Sequence, residues 1–277
     1  MESADPLRRT GVPVWDPAQY RRHAGHRLRP LRDLLARLPP LPSPRPRIAD
    51  LGCGPGEPTA VLAERWPTAE ITGYDLSEAM LAEARAHAGP TPGGGTVDFA
   101  RADLAAWRPG RPHDLIISNA ALHWCPGHIA RLPVWTAALR PGGVLAFQVP
   151  GNFAAPAHTL LADLCASPRW RDRLGAAPRR APVAEPVEYT GALAALGCGT
   201  DVWETTYVHV LTGEDPVLEW AKGTALRPVL TALDSDPAAR EAFLAEYRDL
   251  LREAYPPGPH GTLFPFRRIF AVARGHT

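Results

Sequence analysis

Lysine is almost missing from this chain: of 30 basic residues only Lys222 is a lysine, and the rest are arginine. Alongside abundant Ala, Pro and Gly this reflects GC-rich codon usage, so the number of arginines carries no functional weight by itself. An excess of one charge sign is also missing. Basic and acidic residues number 30 and 29, the formal net charge is +1 and the pI is near 7.8. Nucleic-acid binders carry a basic stripe and a high pI, so no nucleic-acid partner is expected. No run of 18 apolar residues exists, which excludes a membrane-spanning helix, and no membrane partner is expected. Met1 to Val14 is polar and contains proline, without the apolar stretch of a secretory leader, so a cytoplasmic location is expected. The four cysteines, Cys53, Cys125, Cys165 and Cys198, show no CxxC spacing and are too sparse for a disulfide framework; they read as reduced and structural. Ten histidines form neither HExxH nor a Cys/His cluster, and no metal site is expected.

What the chain does hold is material for one large domain with insertions, or for two modest ones. It has 277 residues, 45% of them hydrophobic, with eight tryptophans. Leu28, Leu31, Leu34, Leu35 and Leu38 fall at helical spacing and predict a helix over 27–38, ended by a proline-rich linker from Leu38 to Pro46. Strand and helix signals then alternate. Strands are expected at Ile48–Leu51, Ile71–Tyr74, Val97–Arg101, Leu115–Ser118 and Val144–Val149. Helices are expected from Pro58, a residue suited to a first turn, to Arg65; from a Ser77 cap to Ala88; and over Ile129–Leu139, before a Pro141-Gly142-Gly143 turn. This alternation implies right-handed crossovers and a mostly parallel sheet covered on both faces. After Pro150 the pattern becomes helical near 156–166, 187–197, 216–222 and 237–254. A β-rich Val202–Leu211 interrupts it, and a final strand is expected at Arg268–Ala273.

The chemistry-bearing stretch is Asp50-Leu51-Gly52-Cys53-Gly54-Pro55-Gly56. Glycines let the backbone turn sharply and approach a ligand with no Cβ in the way, here at the carboxyl edge where α/β sheets bind ligands. Asp75 ends the second strand, 19 residues after Gly56, placed to accept hydrogen bonds from two ribose hydroxyls. A nicotinamide cofactor would be served equally well so far. The spacing separates the two cases: a dinucleotide fingerprint requires G-x-G-x-x-G, and the sixth position here is Glu57. Its carboxylate would repel a pyrophosphate at the helix amino terminus, whereas S-adenosylmethionine (SAM) carries no phosphate. Asp103, ending the third strand before Leu104, is placed to accept from an adenine amino group.

With the Asp114–Asn119 strand and Leu139-Arg140-Pro141-Gly142-Gly143, these motifs resemble, in order and over about residues 47–150, the class I SAM-dependent methyltransferases. The resemblance implies an α/β fold: a Rossmann-like, seven-stranded, mostly parallel sheet with helices on both faces, plus a helical substrate cap. The implied division is 1–46 as amino-terminal cap helix and linker, 47–150 as SAM-binding core, and 151–198 as a helical connection contributing to the cap. Residues 199–211 and 263–274 would be the final strands, with 212–262 a helical insertion between them. It further implies SAM contacts from Asp50, Gly52, Gly54, Gly56, Asp75, Leu76, Asp103, Leu104 and Asn119, with S-adenosylhomocysteine (SAH) as product.

Within that superfamily the chain is similar to the trans-aconitate 2-methyltransferase family. The pieces are Trp15-Asp16-Pro17 with Tyr20, Arg29-Pro30, Asn119-Ala120-Ala121-Leu122-His123-Trp124 and Gln148-Val149-Pro150-Gly151-Asn152. Asp201 to Tyr207, Leu226-Arg227-Pro228 and Arg268-Ile269-Phe270 complete them. Residues 1–13, the proline linker, Gly93–Gly95 and the Arg/Ala/Pro stretch around 176–186 depart from the pattern. The resemblance implies esterification of a small polycarboxylic acid, trans-aconitate foremost. A carboxylate, with an unperturbed pKa of ~4, is already ionised and needs no general base, so positioning and electrostatics do the work. Buried anions call for paired cations, and arginine's planar fork fits a carboxylate: Arg29, Arg227 and Arg268 are the candidates. Tyr20, Gln148 and Tyr207 are further substrate contacts. His123 and Trp124, after the fourth strand, form the candidate catalytic pair. Three other readings stand beside this one: methylation of another small acid or natural product, a nicotinamide-dependent oxidoreductase, and a non-catalytic SAM-binding module. A monomer or weak homodimer is expected.

Overall fold

The computed structural model describes residues 24–175 and 183–275. The chain divides into a larger compact unit, residues 24–151, 183–205 and 268–275, and a smaller one, residues 152–175 and 206–267.

In the larger unit, β1 (Arg47–Leu51) sits inside the sheet with Ile48, Ala49 and Leu51 fully buried, as a parallel strand covered on both faces must be. It pairs in parallel with β2 (Glu70–Asp75) on one side and β5 (His113–Asn119) on the other. Beyond β2 come β4 (Thr96–Arg101) and a two-residue β3 (Gly89–Pro90); beyond β5 comes β6 (Leu139–Pro150). β6 pairs antiparallel with β9 (Gly261–Arg274), and β7 (Gly199–Leu211) follows β9. With β8 (Pro257–Gly258) on β9, the described residues hold nine strands, two of them only two residues long. The strands next to β1 lead away in opposite directions, so ligand space opens at its carboxyl end.

Helices cover this sheet where the apolar spacing requires. In α1 (Ala24–Ala36), Leu31, Leu34 and Leu35 are buried, and the helix packs on β6. α2 (Glu57–Arg65) starts one residue before Pro58. α3 (Glu78–Ala84) is capped by Ser77, whose hydroxyl accepts from Met80 N–H, and it tightens into a 3-10 turn at Arg85–His87 short of Ala88. The single helix expected over Ile129–Leu139 is replaced by a 3-10 turn at His128–Arg131 and α4 (Leu132–Thr136). Pro133 lacks the N–H that a continuous helix would need there, and Leu139 already belongs to β6. The Pro141-Gly142-Gly143 turn is a bulge inside β6: pairing jumps from His113↔Leu139 to Leu115↔Val144, with Gly142 at φ 72°. After the described residues resume at 183, α7 (Pro186–Ala194) begins with a reciprocal capping box between Glu185 and Glu188.

The smaller unit packs α5 (Pro156–Ala166), α6 (Arg171–Leu174), α8 (Pro216–Lys222), α9 (Arg227–Ala232) and α10 (Pro237–Ala254) around buried Trp170, Trp220, Phe243, Tyr247, Phe264 and Phe266. Tyr247 O–H donates to Ala157 C=O at 2.6 Å, and Tyr255 Oη accepts from Ala157 N–H at 3.1 Å. Both backbone groups of Ala157, in the first turn of α5, thereby have side-chain partners. β9 begins at Gly261 rather than Arg268: Thr262, Phe264 and Phe266 are buried and alternate with exposed Leu263 and Pro265, a half-buried strand that tolerates proline on its outer positions. No helix among the described residues is long and apolar enough to cross a membrane.

Candidate active site

After Leu51 the chain turns through Gly52 (φ 77°), Gly54 (φ 56°) and Gly56 (φ 94°) into α2. Gly52 and Cys53 N–H donate to Tyr74 C=O at 2.7 and 3.0 Å, which pins the loop to the end of β2. The three glycines serve different ends. A Cβ at Gly52 would stand 2.1 Å from Ala121 Cβ, and one at Gly56 would stand 2.9 Å from Ala84 Cα; protein packing demands both glycines. A Cβ at Gly54 meets nothing within 4 Å. That residue faces open space, where a ligand can lie against bare backbone.

Three carboxylates surround the loop. Asp50 is 1% exposed and accepts from Thr59 O–H at 2.6 Å. Burial pushes its pKa up to about 7, the Thr59 hydrogen bond opposes the rise, and the charge of Asp75 adds to it. Asp75 accepts from Ser77 N–H with Oδ1 (2.9 Å) and from Gly54 N–H with Oδ2 (3.0 Å). Burial raises its pKa against those backbone donors and that of Leu76. Each oxygen retains a lone pair for a hydroxyl donor, but Asp75 also holds the glycine loop in shape. Glu57 begins α2, and its Oε2 is buried with no hydrogen-bond partner among the described residues.

The carboxyl end of β5 lies beside this loop through the contact of Ala121 with Gly52. Asn119 closes the strand, and Ala120 follows in the left-handed region at φ 55°, its N–H donating to Gln148 C=O at 3.0 Å. A non-glycine residue held there marks a strained segment. A 3-10 turn, Leu122–Trp124, then carries half-buried His123 and 42% exposed Trp124, their rings 4.8 Å apart. Asn119 also ends a buried hydrogen-bonded row with Gln148 and Arg268.

The larger unit thus holds Asp50, the three glycines, Asp75, Leu76, Asp103, Leu104, Asn119, His123, Trp124, Gln148, Arg268 and Arg29. Leu104 reaches to 3.7 Å from the Cβ position of Gly52. Leu76 C=O accepts from Arg101 Nε at 3.2 Å. Asp103 is exposed, with Oδ1 accepting from Ala105 N–H at 2.9 Å. Arg29 is exposed on α1. Tyr207, buried on β7, and Arg227, at the start of α9, belong to the smaller unit, and Tyr20 lies outside the described residues. Sequence reading overlooked Thr59, which fixes Asp50 and whose signal is a hydroxyl at the third residue of α2. It also overlooked Ala120 and Ala121, whose roles are conformational and steric and leave no mark in residue type.

These features fit SAM. The open cradle at Gly54 takes a close ligand, and the carboxylates of Asp50, Glu57 and Asp75 favour a cation while opposing a phosphate.

Residues 48–143 match the methyltransferase domain family. A trans-aconitate 2-methyltransferase of Streptomyces avermitilis is 63% identical over 95% of this chain and 97% of its own length. One of Streptomyces coelicolor is 62% identical over 95% and 87%. The solved structure of Haemonchus contortus phosphoethanolamine N-methyltransferase 2 in complex with SAM is alike in fold. It has a TM-score of 0.52 and 16% identity, covering 90% of this chain and 53% of that one. With nearly two-thirds of positions identical along almost the whole of both chains, this chain belongs to the trans-aconitate 2-methyltransferase family of SAM-dependent methyltransferases.

Proposed function

We propose that the chain esterifies one carboxylate of trans-aconitate, giving the monomethyl ester and SAH. The observation that carries this reading is the 63% identity, across 95% of the chain, to a protein named for that reaction. Bound SAM would supply an electrophilic methyl group on its sulfonium, to be taken by a carboxylate oxygen with the C–S electron pair left on sulfur as SAH. The chain's own residues hold and orient. Asp75 and Gly54 seat the nucleoside, and the carboxylates of Asp50 and Glu57 keep the environment suited to a cation. Arg268, buried at 6% exposure, is the foremost acceptor cation. Arg29 and Arg227 are proposed from their motifs, as are Tyr20 and Tyr207 for further acceptor contacts. No proton needs to leave the acceptor, so His123 and Trp124 shape the space around the methyl group. The balanced charge of the chain supports a small-molecule acceptor over a nucleic acid.

The test supplies methyl-labelled SAM with a panel of small carboxylic acids. Label is expected in an alkali-labile ester of trans-aconitate. Alanine at Arg268 should raise the acid's KM by about tenfold or more, the scale of losing a charge-assisted hydrogen bond. A labelled ether or N-methyl product, or preference for an unrelated acid, would overturn the reading.

A further inference from the structure

Arg268, Gln148 and Asn119 come from three neighbouring strands. Gln148 stands opposite Asn119 across β5 and β6, and opposite Phe270, two residues from Arg268, across β6 and β9. All three side chains therefore lie on one face of the sheet. Gln148 is wholly buried, and Asn119 and Arg268 are each 6% exposed. Arg268 Nη1 donates to Gln148 Oε1 at 3.3 Å, and Gln148 Nε2 donates to Asn119 Oδ1 at 2.6 Å.

The direction of this row follows from chemistry, because a guanidinium has donors only. Gln148 must turn its carbonyl to Arg268 and its amide nitrogen to Asn119. Asn119 must answer with its carbonyl, which leaves its own N–H groups for something else: no described residue accepts from Asn119 Nδ2. This donor sits at the last residue of β5, directly before strained Ala120.

We propose that Gln148 is a positioning residue: it passes the donor-only character of Arg268 on to Asn119 and so commits the carboxyl end of β5 to receive a carboxylate oxygen. The proposal rests on the methyltransferase reading, which brings two carboxylates to the site, that of the cofactor's amino-acid portion and that of the acid acceptor. Glutamate at 148 provides the contrast. It has no donor, so Asn119 must turn its N–H groups back toward it and offer the ligand a carbonyl. Aspartate at 119 leaves the Arg268–Gln148 bond intact and replaces the outward donor with an acceptor.

The experiment uses the full chain and calorimetry, with SAH titrated into the free protein and trans-aconitate into the SAH-saturated protein. Gln148→Glu and Asn119→Asp should weaken the same ligand by about tenfold or more. That ligand is SAH if the oxygen is the cofactor's, and trans-aconitate if it is the acceptor's. Because Gln148 acts through Asn119, the Gln148→Leu/Asn119→Leu double variant should bind no worse than Asn119→Leu alone. A Gln148 that only fills space would give additive losses, and additivity overturns the proposal. Wild-type affinity for both ligands in Asn119→Asp overturns it too, even where Gln148→Glu fails to fold. Failure of the wild type to form any ester would sink the proposed reaction alone, since the SAH titrations need no turnover.

Discussion

The two edges of the larger unit's sheet use the same residue types to opposite ends. At the amino edge Asp114 is fully buried and well met: Arg47 N–H donates to Oδ2 at 2.7 Å and Arg140 Nη1 at 3.1 Å. Arg47 in turn pairs with Glu70, which also pairs with Arg111. At the carboxyl edge Asp50 is as deeply buried but, among the described residues, has only the hydroxyl of Thr59 to hydrogen-bond it. Glu57 Oε2 has no partner among the described residues, and Ala120 is held at positive φ. The amino edge has its own orphan, His113 Nδ1, but burial pushes that imidazole's pKa down to about 4 and keeps it neutral, so no charge goes unmet there. An edge whose charges are all answered is completed by folding. One whose charges are left over is completed by a ligand.

The largest expected effect breaks this contrast within a single loop. Valine at Gly54 fills the open cradle and should weaken SAH binding beyond about 100-fold, or 2.7 kcal/mol. Its cost to the fold should stay within about 1–3 kcal/mol of backbone strain. Valine at Gly52 drives into Ala121, 2.1 Å away, and should cost the fold itself. Calorimetry beside thermal melting separates the two, and equal behaviour would mean that Gly54 does not face the cofactor.

A smaller effect compares one aspartate from each edge. Asp75→Ala should weaken SAH binding by about 1.5–3 kcal/mol, the scale for hydrogen bonds to a charged group. It should also lower the melting temperature, since Gly54 and Ser77 N–H lose their acceptor. Asp114→Ala should lower stability by a similar amount and leave SAH affinity untouched in the protein that remains folded. Weakened SAH binding in Asp114→Ala would erase the division between the edges.

Smaller still is a pH effect at Asp50, whose folded pKa of about 7 lies above its ordinary value. The neutral acid therefore favours the fold fully below pH ~4, and this contribution fades as pH rises toward about 7 and is gone above it. Asp50→Asn stays neutral and should be more stable than the wild type at pH 8 by about 1 kcal/mol or more, 2–4 °C in Tm, with no such gain at pH 4. Cationic SAM should likewise gain on SAH as pH rises through about 7, and the asparagine variant should lose that trend. A preference that climbs equally in both proteins would show that Asp50 does not sense the sulfonium.

Much of this was legible in residue types, and what was not has physical reasons. The parallel strands announced themselves as apolar runs, and the glycine loop, Asp75 and the Ser77 cap were readable because each needs a particular residue at a particular place. The break at Pro133 was harder to see, since apolar spacing continues through it, and Pro141-Gly142-Gly143 was legible as a turn but not as a bulge within one strand, which depends on pairing with β5. Pro265 hid the early start of β9 from the residue pattern, which placed it at Arg268, since a strand accepts proline only where its missing N–H is not needed; the resemblance placed it at 263, two residues from the observed Gly261. Arg268, Gln148 and Asn119 stood out singly, but their row depends on register between strands up to 120 residues apart, which no local pattern carries. The left-handed turn at Ala120 was invisible, because alanine gives no hint of positive φ.

The smallest expected effect concerns one histidine from each edge. His123 lies beside Trp124 after β5, where a general base would be sought, and a base taking a proton from a phenol or an amine contributes typically ~10²–10⁴-fold. A carboxylate has no proton to give at neutral pH. Glutamine keeps a hydrogen-bonding group of similar reach but cannot take up a proton, so His123→Gln should lower kcat by no more than about tenfold, the scale of one orienting hydrogen bond. Its pH–rate profile should show no newly lost limb near the ordinary histidine pKa of ~6.5. His113→Gln, at the edge already completed by folding, should change melting temperature and leave kcat and both ligand affinities in place. A fall in kcat of about 10³-fold or more in His123→Gln, with the acidic limb of the profile gone, would mean that the acceptor arrives protonated. The reaction would then have to be sought among acceptors that need a base.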